Sequence, residues 1–88
     1  MLDRNWRCAE GEIDLVAGRR GLVVICEVKT RASDRYGLPA EAVGRSKQLR
    51  LRRLGAIWLA THPHERAAVR FDVAAVLGTR IEVIEAAF

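Results

Sequence analysis

Hydrophobic and β-branched residues occur along the chain in short runs, which glycine-rich or charged stretches separate. Runs of this length and composition are typical of β-strands. They predict five strands, at residues 2–7, 11–18, 21–30, 69–77 and 80–84. The short Gly18-Arg19-Arg20-Gly21 stretch predicts a hairpin between the second and third strands, with Arg19-Arg20 as its turn. A second turn is expected at Gly78-Thr79, between the last two strands.

A different pattern, with a helical period, runs over residues 45–61. Leu51, Leu54 and Trp58 recur at spacings of three and four residues, which places them on one face of an α-helix. The helix is expected to end at His62-Pro63, because a residue that precedes proline avoids the helical conformation.

Residues 31–44 contain glycine, proline and polar side chains and predict a loop. The order β-β-β-α-β-β then predicts a single α/β domain over residues 1–88, with a small mixed sheet and one main helix. No apolar run approaches the ~20 residues of a membrane span, so we expect a cytoplasmic protein. Cys8 and Cys26 lack a metal-binding spacing, and a disulfide between them is not expected in such a chain.

Three charged residues interrupt strands that are otherwise apolar: Asp14, Glu27 and Lys29. A charge inside a strand is costly unless it is paired or bound to a metal. A turn at Arg19-Arg20 would place Asp14 opposite Ile25, and side-chain alternation then puts Glu27 and Lys29 on the same, accessible face. Glu27 would be the diagonal neighbour of Asp14, at roughly 7–8 Å, within reach of one shared cation.

Asp14 followed by Glu27-Val28-Lys29 on the next strand resembles the metal-binding signature of the restriction-endonuclease-like, PD-(D/E)xK nuclease fold. Further blocks extend the resemblance over nearly the whole chain, to the YraN-type bacterial family of predicted nucleases. These blocks are Arg4-Asn5-Trp6-Arg7-Cys8, Gly11-Glu12-Ile13-Asp14, Glu27-Val28-Lys29-Thr30-Arg31, Glu41-Ala42-Val43, Lys47-Gln48 and Arg70-Phe71-Asp72-Val73. The family also has an N-terminal helix with a glutamate, which is absent from this sequence, and Ile13 stands where the signature is named for proline.

The resemblance implies a metal-dependent nuclease that acts on DNA or structured nucleic acid. Asp14 and Glu27 would bind Mg²⁺ or Mn²⁺ through hard carboxylate oxygens, and the backbone carbonyl of Val28 would complete the ligand set. Lys29 would stabilise negative charge at the phosphorus and orient water. The alternative is an exposed sheet face with solvated acids and a Glu27–Lys29 pair worth under about 1 kcal/mol.

Two further positions allow both a functional and a structural interpretation. Glu12 shares the predicted face of Asp14 and is either an additional carboxylate of the site or a charge at the edge of the hairpin. Gln48, in the first turn of the helix, either reaches toward the metal-bound water or is a surface residue chosen for helix propensity.

The net charge is +4, from 15 Lys and Arg residues against 11 Asp and Glu residues. Five of the basic residues fall within nine positions of the predicted helix and are the candidate nucleic-acid-binding residues: Arg45, Lys47, Arg50, Arg52 and Arg53. Cations near a helix N-terminus are unfavourable unless an anion is close. A bound phosphate would supply that anion. The alternative is a solvated basic face. Asp72 is expected to pair with Arg70 or cap a loop, and His62 and His64 are not expected to be catalytic.

The sequence therefore predicts a magnesium-dependent nuclease, with a non-catalytic binding or interaction module of the same fold as the alternative. Trp6 and Trp58 are expected in the core, which leaves recognition to the nucleic-acid backbone. Because the additional helix of the family is missing, we also expect an apolar patch near Leu2 and Trp6, and self-association as a homodimer.

Overall fold

The computed structural model describes residues 1–31, 44–62 and 68–88, and for Arg31 the backbone only. The predicted Glu41-Ala42-Val43 block and His64 lie outside these residues. In the described part, five strands and one helix follow each other in the predicted order, β-β-β-α-β-β. Their bounds are β1 Asp3–Cys8, β2 Gly11–Arg19, β3 Leu22–Arg31, α1 Arg45–Thr61, β4 Ala68–Leu77 and β5 Arg80–Ile84.

The strands form one mixed sheet in the order β1-β2-β3-β4-β5. Neighbouring strands are antiparallel except for β3 and β4, which are parallel. A parallel pair needs a long crossover connection, and α1 lies within it. The predicted helical stripe faces the sheet: Leu51, Leu54 and Trp58 are buried in one cluster with side chains of β2, β3 and β4. Among the described residues, no helix is both long and apolar enough to cross a membrane.

The predicted register of the β2–β3 hairpin is wrong by two positions. Arg19 pairs with Leu22, so Arg20 and Gly21 form the turn and β2 is longer than predicted. Gly21 has a φ of 76°, which glycine adopts without the steric cost of a Cβ atom. Val16, and not Asp14, is therefore opposite Ile25. A shift of two residues preserves the alternation of side chains along the paired residues, so the error does not by itself move Asp14 and Glu27 to opposite faces.

Asp72 has the structural role that the sequence predicts. Its buried carboxylate accepts two hydrogen bonds from the Arg70 guanidinium, at 2.9 and 3.0 Å. It also accepts a hydrogen bond of 3.0 Å from the backbone N–H of Ala86, which fastens the C-terminal residues to β4. Phe88 stacks on Phe71 with ring centroids 5.4 Å apart.

The end of α1 is tied to β1 through Asp3. The indole N–H of Trp58 donates to the Asp3 carboxylate at 3.1 Å, and the His62 ring stacks on Trp58 at 4.2 Å. The backbone N–H of His62 donates to the Trp58 carbonyl at 2.9 Å, so His62 serves as the helix C-cap. These contacts are structural. Cys8 and Cys26 are both free thiols.

The expected apolar patch near the N-terminus is found only in part. Leu2 is 47% exposed, but Trp6 packs against the core cluster. Larger exposed fractions occur on β5, at Ile81 and Val83. Self-association stays a prediction.

We predict that Gly55→Ala stabilises the protein. Alanine is better than glycine in a helix interior by about 0.5–1 kcal/mol. A methyl group at Gly55 would meet side-chain atoms of Ile25 and Phe71 at 3.4 Å, an ordinary van der Waals contact. We expect urea unfolding to give a free energy of unfolding up to about 1 kcal/mol higher.

Gly78→Ala is the matched control, because Gly78 has a φ of 60° and no neighbour near the added methyl group. This variant is expected to lose roughly 1–2 kcal/mol through backbone strain. If Gly55→Ala were also destabilising, the packing of Ile25 and Phe71 on α1 would be tighter than the contact distances indicate.

Candidate active site

The two predicted acidic ligands, Asp14 and Glu27, are brought together on neighbouring strands. The register of β2 on β3 is regular as far as Leu15 opposite Cys26, and Asp14 and Glu27 are the next residues beyond this last pair. The two carboxyl groups are within hydrogen-bonding contact of each other.

Regular pairing of β2 is interrupted at Asp14. The register with β1 omits the pair Asn5–Asp14, although the pairs on both sides are regular, and Asn5 has a φ of 50°. On the other side, the Asp14 carboxylate accepts a hydrogen bond of 2.8 Å from the backbone N–H of Val28. Ile13 and Val16 are both fully buried, so side-chain alternation also breaks between them. The Asp14 carboxylate is thus part of the hydrogen bonding between β2 and β3.

Glu27 is surrounded by positive charge but is hardly accessible to water. Its exposed fraction is 4%, so the expectation of an accessible Glu27 is wrong: the N-terminal turn of α1 lies over this part of β3. The Lys47 ammonium is 2.5 Å from the Glu27 carboxylate, and the Lys29 ammonium is 3.9 Å from it. Lys29 remains partly exposed, so its ammonium can also contact a bound molecule.

The electrostatic balance at Glu27 favours its neutral form more than in water. Burial raises the pKa of the Glu27 carboxyl, and the adjacent Asp14 carboxylate raises it further. Lys47 lowers the same pKa, but it does not compensate for both effects. An additional cation beside Asp14 and Glu27 would stabilise the ionised pair.

The other predicted ligand positions have different surroundings. Val28 contacts Asp14 through its N–H, and the role of its carbonyl stays a prediction. Gln48 is half-buried in the first turn of α1, beside Lys47. Glu12 forms an ion pair of 2.9 Å with Arg7 on the edge strand, which agrees with the hairpin-edge interpretation.

The predicted basic residues of α1 point in different directions. Lys47 is directed to Glu27, and Arg53 forms an ion pair of 3.6 Å with Glu10. Arg52 lies over the rings of Phe71 and Phe88, at 4.9 and 5.7 Å from their centroids. Arg45 and Arg50 are exposed. The positive charge is therefore distributed around the helix and does not form one continuous face.

A cleft of about 410 Å³ adjoins Asp14, and three of its five lining residues were not predicted to belong to the site. Its lining residues are Arg4, Asn5, Asp14, Leu15 and Val28. Arg4 and Asn5 belong to the first sequence block of the resemblance, but nothing in that block marks them as close to Asp14. The one local signal of an irregular backbone is that residue 5 is an asparagine, which tolerates a positive φ.

Among the described ranges of the chain, no three His, Cys, Asp or Glu side chains gather in a way that could hold a metal. The candidate site therefore offers two carboxylates. Mg²⁺ in proteins is commonly bound by one or two carboxylates, with water and substrate phosphate as the remaining ligands. The donor set fits that ion.

Comparison with known proteins places the whole arrangement in a family. The model of the uncharacterised protein family UPF0102 matches residues 1–76, which include Asp14, Glu27, Lys29 and all of α1. The chain belongs to the UPF0102 family. This confirms the YraN-type resemblance of the sequence. The family description assigns no activity to the site.

Three UPF0102 relatives illustrate the extent of the similarity. The protein of Frankia casuarinae is 54% identical over 93 residues, which span 100% of this chain and 79% of the relative. The protein of Clavibacter michiganensis is 50% identical over 92 residues, covering 99% of this chain and 78% of the relative. That of Syntrophus aciditrophicus is 45% identical over 92 residues, covering 100% and 72%.

We predict that Glu27→Gln makes the UPF0102 chain more stable at neutral pH. A carboxyl whose pKa is raised by folding contributes stability below its unfolded pKa, about 4.3, and loses it as the pH rises through the folded pKa. Glutamine remains neutral and keeps that contribution. The stability difference from the wild type should shrink as the pH is lowered from the folded pKa toward about 4.3, and it should stay small below that pH.

Thermal unfolding of both proteins over a pH series measures this difference. Glu82→Gln, at an exposed position of β5, is the control and should show no such pH dependence. A Glu27→Gln difference that is constant with pH would show that lost contacts, and not the ionisation of Glu27, determine the effect.

Proposed function

We propose that this protein is a metal-dependent phosphodiesterase with a restriction-endonuclease-like fold, acting on DNA or structured nucleic acid. The observation that carries the proposal is the contact between the Asp14 and Glu27 carboxylates, with the Lys29 ammonium 3.9 Å from Glu27. The order of the strands around α1, and the position of the two acids on adjacent strands, support the assignment of the fold.

The donor groups fit Mg²⁺ or Mn²⁺. Asp14 and Glu27 would hold the ion, together with the carbonyl of Val28. The buried Glu27 carboxylate and the half-buried Asp14 carboxylate repel each other when both are ionised, and a divalent cation removes that repulsion. When bound, the ion would supply Lewis acidity toward a phosphate oxygen and lower the pKa of a bound water.

The remaining residues act directly on the substrate. Lys29 is partly exposed, so its ammonium can donate to the phosphate oxygens and stabilise the negative charge that develops there. Gln48, at the start of α1, would orient the attacking water. Arg45 and Arg50 are exposed on α1 and can contact the nucleic-acid backbone. Trp6 packs against the core and Trp58 is buried, so neither provides a stacking platform for bases. Recognition then depends on phosphates and shape.

We predict that the protein with Mn²⁺ cleaves at least one of single-stranded, duplex and branched DNA. Lys29→Met should lower the rate by at least about 10²-fold, since it removes a preorganised positive charge from the transition state. Arg20→Gln, which removes an exposed charge in the hairpin turn, is the control and should cleave normally. Melting curves establish that both variants are folded.

A protein that cleaves none of these substrates and releases no heat with Mg²⁺ or Mn²⁺ in calorimetry would contradict the proposal. It would favour a non-catalytic module of the same fold. One observation supports that alternative: the Lys47 ammonium, at 2.5 Å, already provides Glu27 with a counter-charge from within the chain.

The variant Lys47→Met distinguishes the metal-dependent nuclease from the non-catalytic module. If Glu27 binds a metal, Lys47 competes for the same carboxylate, and its removal should raise the affinity for Mn²⁺ severalfold in calorimetry. Arg45→Gln, in the same helical turn and exposed, controls for the general loss of positive charge. If the non-catalytic function is correct, Lys47→Met lowers the melting temperature, because a buried charge loses its partner, and Mn²⁺ binds neither protein.

A further inference from the structure

The cleft beside Asp14 combines polar groups with an unusual backbone. Asn5 lies at the point where β1 fails to pair with Asp14, and it has a φ of 50°. A positive φ outside glycine is uncommon and is concentrated at functional sites. Since Arg4 and Trp6 on either side are regularly paired, the irregularity is local and is aligned with Asp14.

Arg4 supplies the cleft with an available positive charge. Its side chain is exposed, and in the described part of the chain its guanidinium has no carboxylate partner, unlike the guanidinium of Arg7, which pairs with Glu12. Guanidinium groups bind phosphates by paired hydrogen bonds. The Asn5 amide offers both a donor and an acceptor at the same wall.

The cleft and the acidic pair share Asp14. The carboxylate of Asp14 contacts Glu27, accepts the N–H of Val28, and lines the cleft together with Arg4 and Asn5. A group in the cleft is therefore adjacent to Asp14 and Val28, two of the three proposed metal ligands. The volume of about 410 Å³ lies within the range of roughly 300–1,000 Å³ that is usual for small-ligand sites.

We infer that Arg4 and Asn5 form a subsite that positions a phosphate of the nucleotide flanking the bond to be cleaved. This inference rests on the proposed function and identifies where the substrate enters. Arg4 binds the phosphate, and the Asn5 amide binds the same nucleotide, so that the neighbouring phosphate is directed to Asp14. Both are positioning residues.

The subsite can be tested by measuring how the protein binds a short DNA duplex in the presence of Ca²⁺. Fluorescence anisotropy monitors the binding over a series of salt concentrations. Arg4→Gln should weaken binding by about tenfold and reduce the slope of log affinity against log salt by about one unit. Arg20→Gln removes the same charge at the remote hairpin turn and should change the slope little. Asn5→Gly keeps the backbone conformation, removes the amide, and should weaken binding without changing the slope.

Melting curves verify that the variants fold. If Asn5→Gly does not fold, Asn5→Asp replaces it: aspartate also tolerates a positive φ, and its charge should repel the phosphate and weaken binding more strongly than loss of the amide.

The results distinguish the subsite from the proposed function. If the wild type binds and cleaves DNA but Arg4→Gln behaves as Arg20→Gln does, the subsite is wrong and the nuclease function stands. If the wild type neither binds nor cleaves any substrate, the proposed function is wrong and the inference fails with it. Selective loss of binding in Arg4→Gln, with wild-type binding in Arg20→Gln, supports the subsite independently of catalysis.

Discussion

The structure depends on one unfavourable contact, the approach of two carboxylates at the junction of β2 and β3. Asp14 and Glu27 lie on neighbouring strands just beyond the last regular pair, in a place where Glu27 has almost no access to water. Burial and like charge both oppose ionisation, and the surrounding residues offset these effects. Val28 donates its N–H to Asp14, and Lys29 and Lys47 supply positive charge to Glu27.

The fold provides this contact through its mixed sheet. β2 and β3 form a local hairpin, whereas β4 returns parallel to β3 and brings α1 across the sheet. The apolar stripe of α1 fixes the helix on the core, and the first turn of the helix then lies beside Glu27. On the opposite flank, the irregular pairing at Asn5 leaves a cleft next to Asp14. Each carboxylate is thus adjacent to a different part of the molecule.

Much of the fold could be predicted from the sequence, because it follows from local patterns. The spacing of Leu51, Leu54 and Trp58 gave the helix, whose bounds agree with those observed. The hairpin register was wrong because two adjacent arginines and a glycine allow more than one turn, and the backbone of Gly21 decides between them. The Lys47–Glu27 contact could not be predicted from local patterns, since it depends on how the helix docks on the sheet. The cleft depends on one missing pair in a ladder, which periodicity does not reveal.

The Lys47–Glu27 contact also has a consequence for the order of folding. Asp14, Glu27 and Lys29 lie on a hairpin, whose pairing is local in sequence and is expected to form early. Lys47 reaches Glu27 only when α1 docks, a step linked to the long-range pairing of β3 with β4. The early hairpin therefore contains an acidic pair that lacks one of its two cations. Docking of the helix then neutralises a charge as well as burying apolar surface, which makes the late step of folding sensitive to ionic strength.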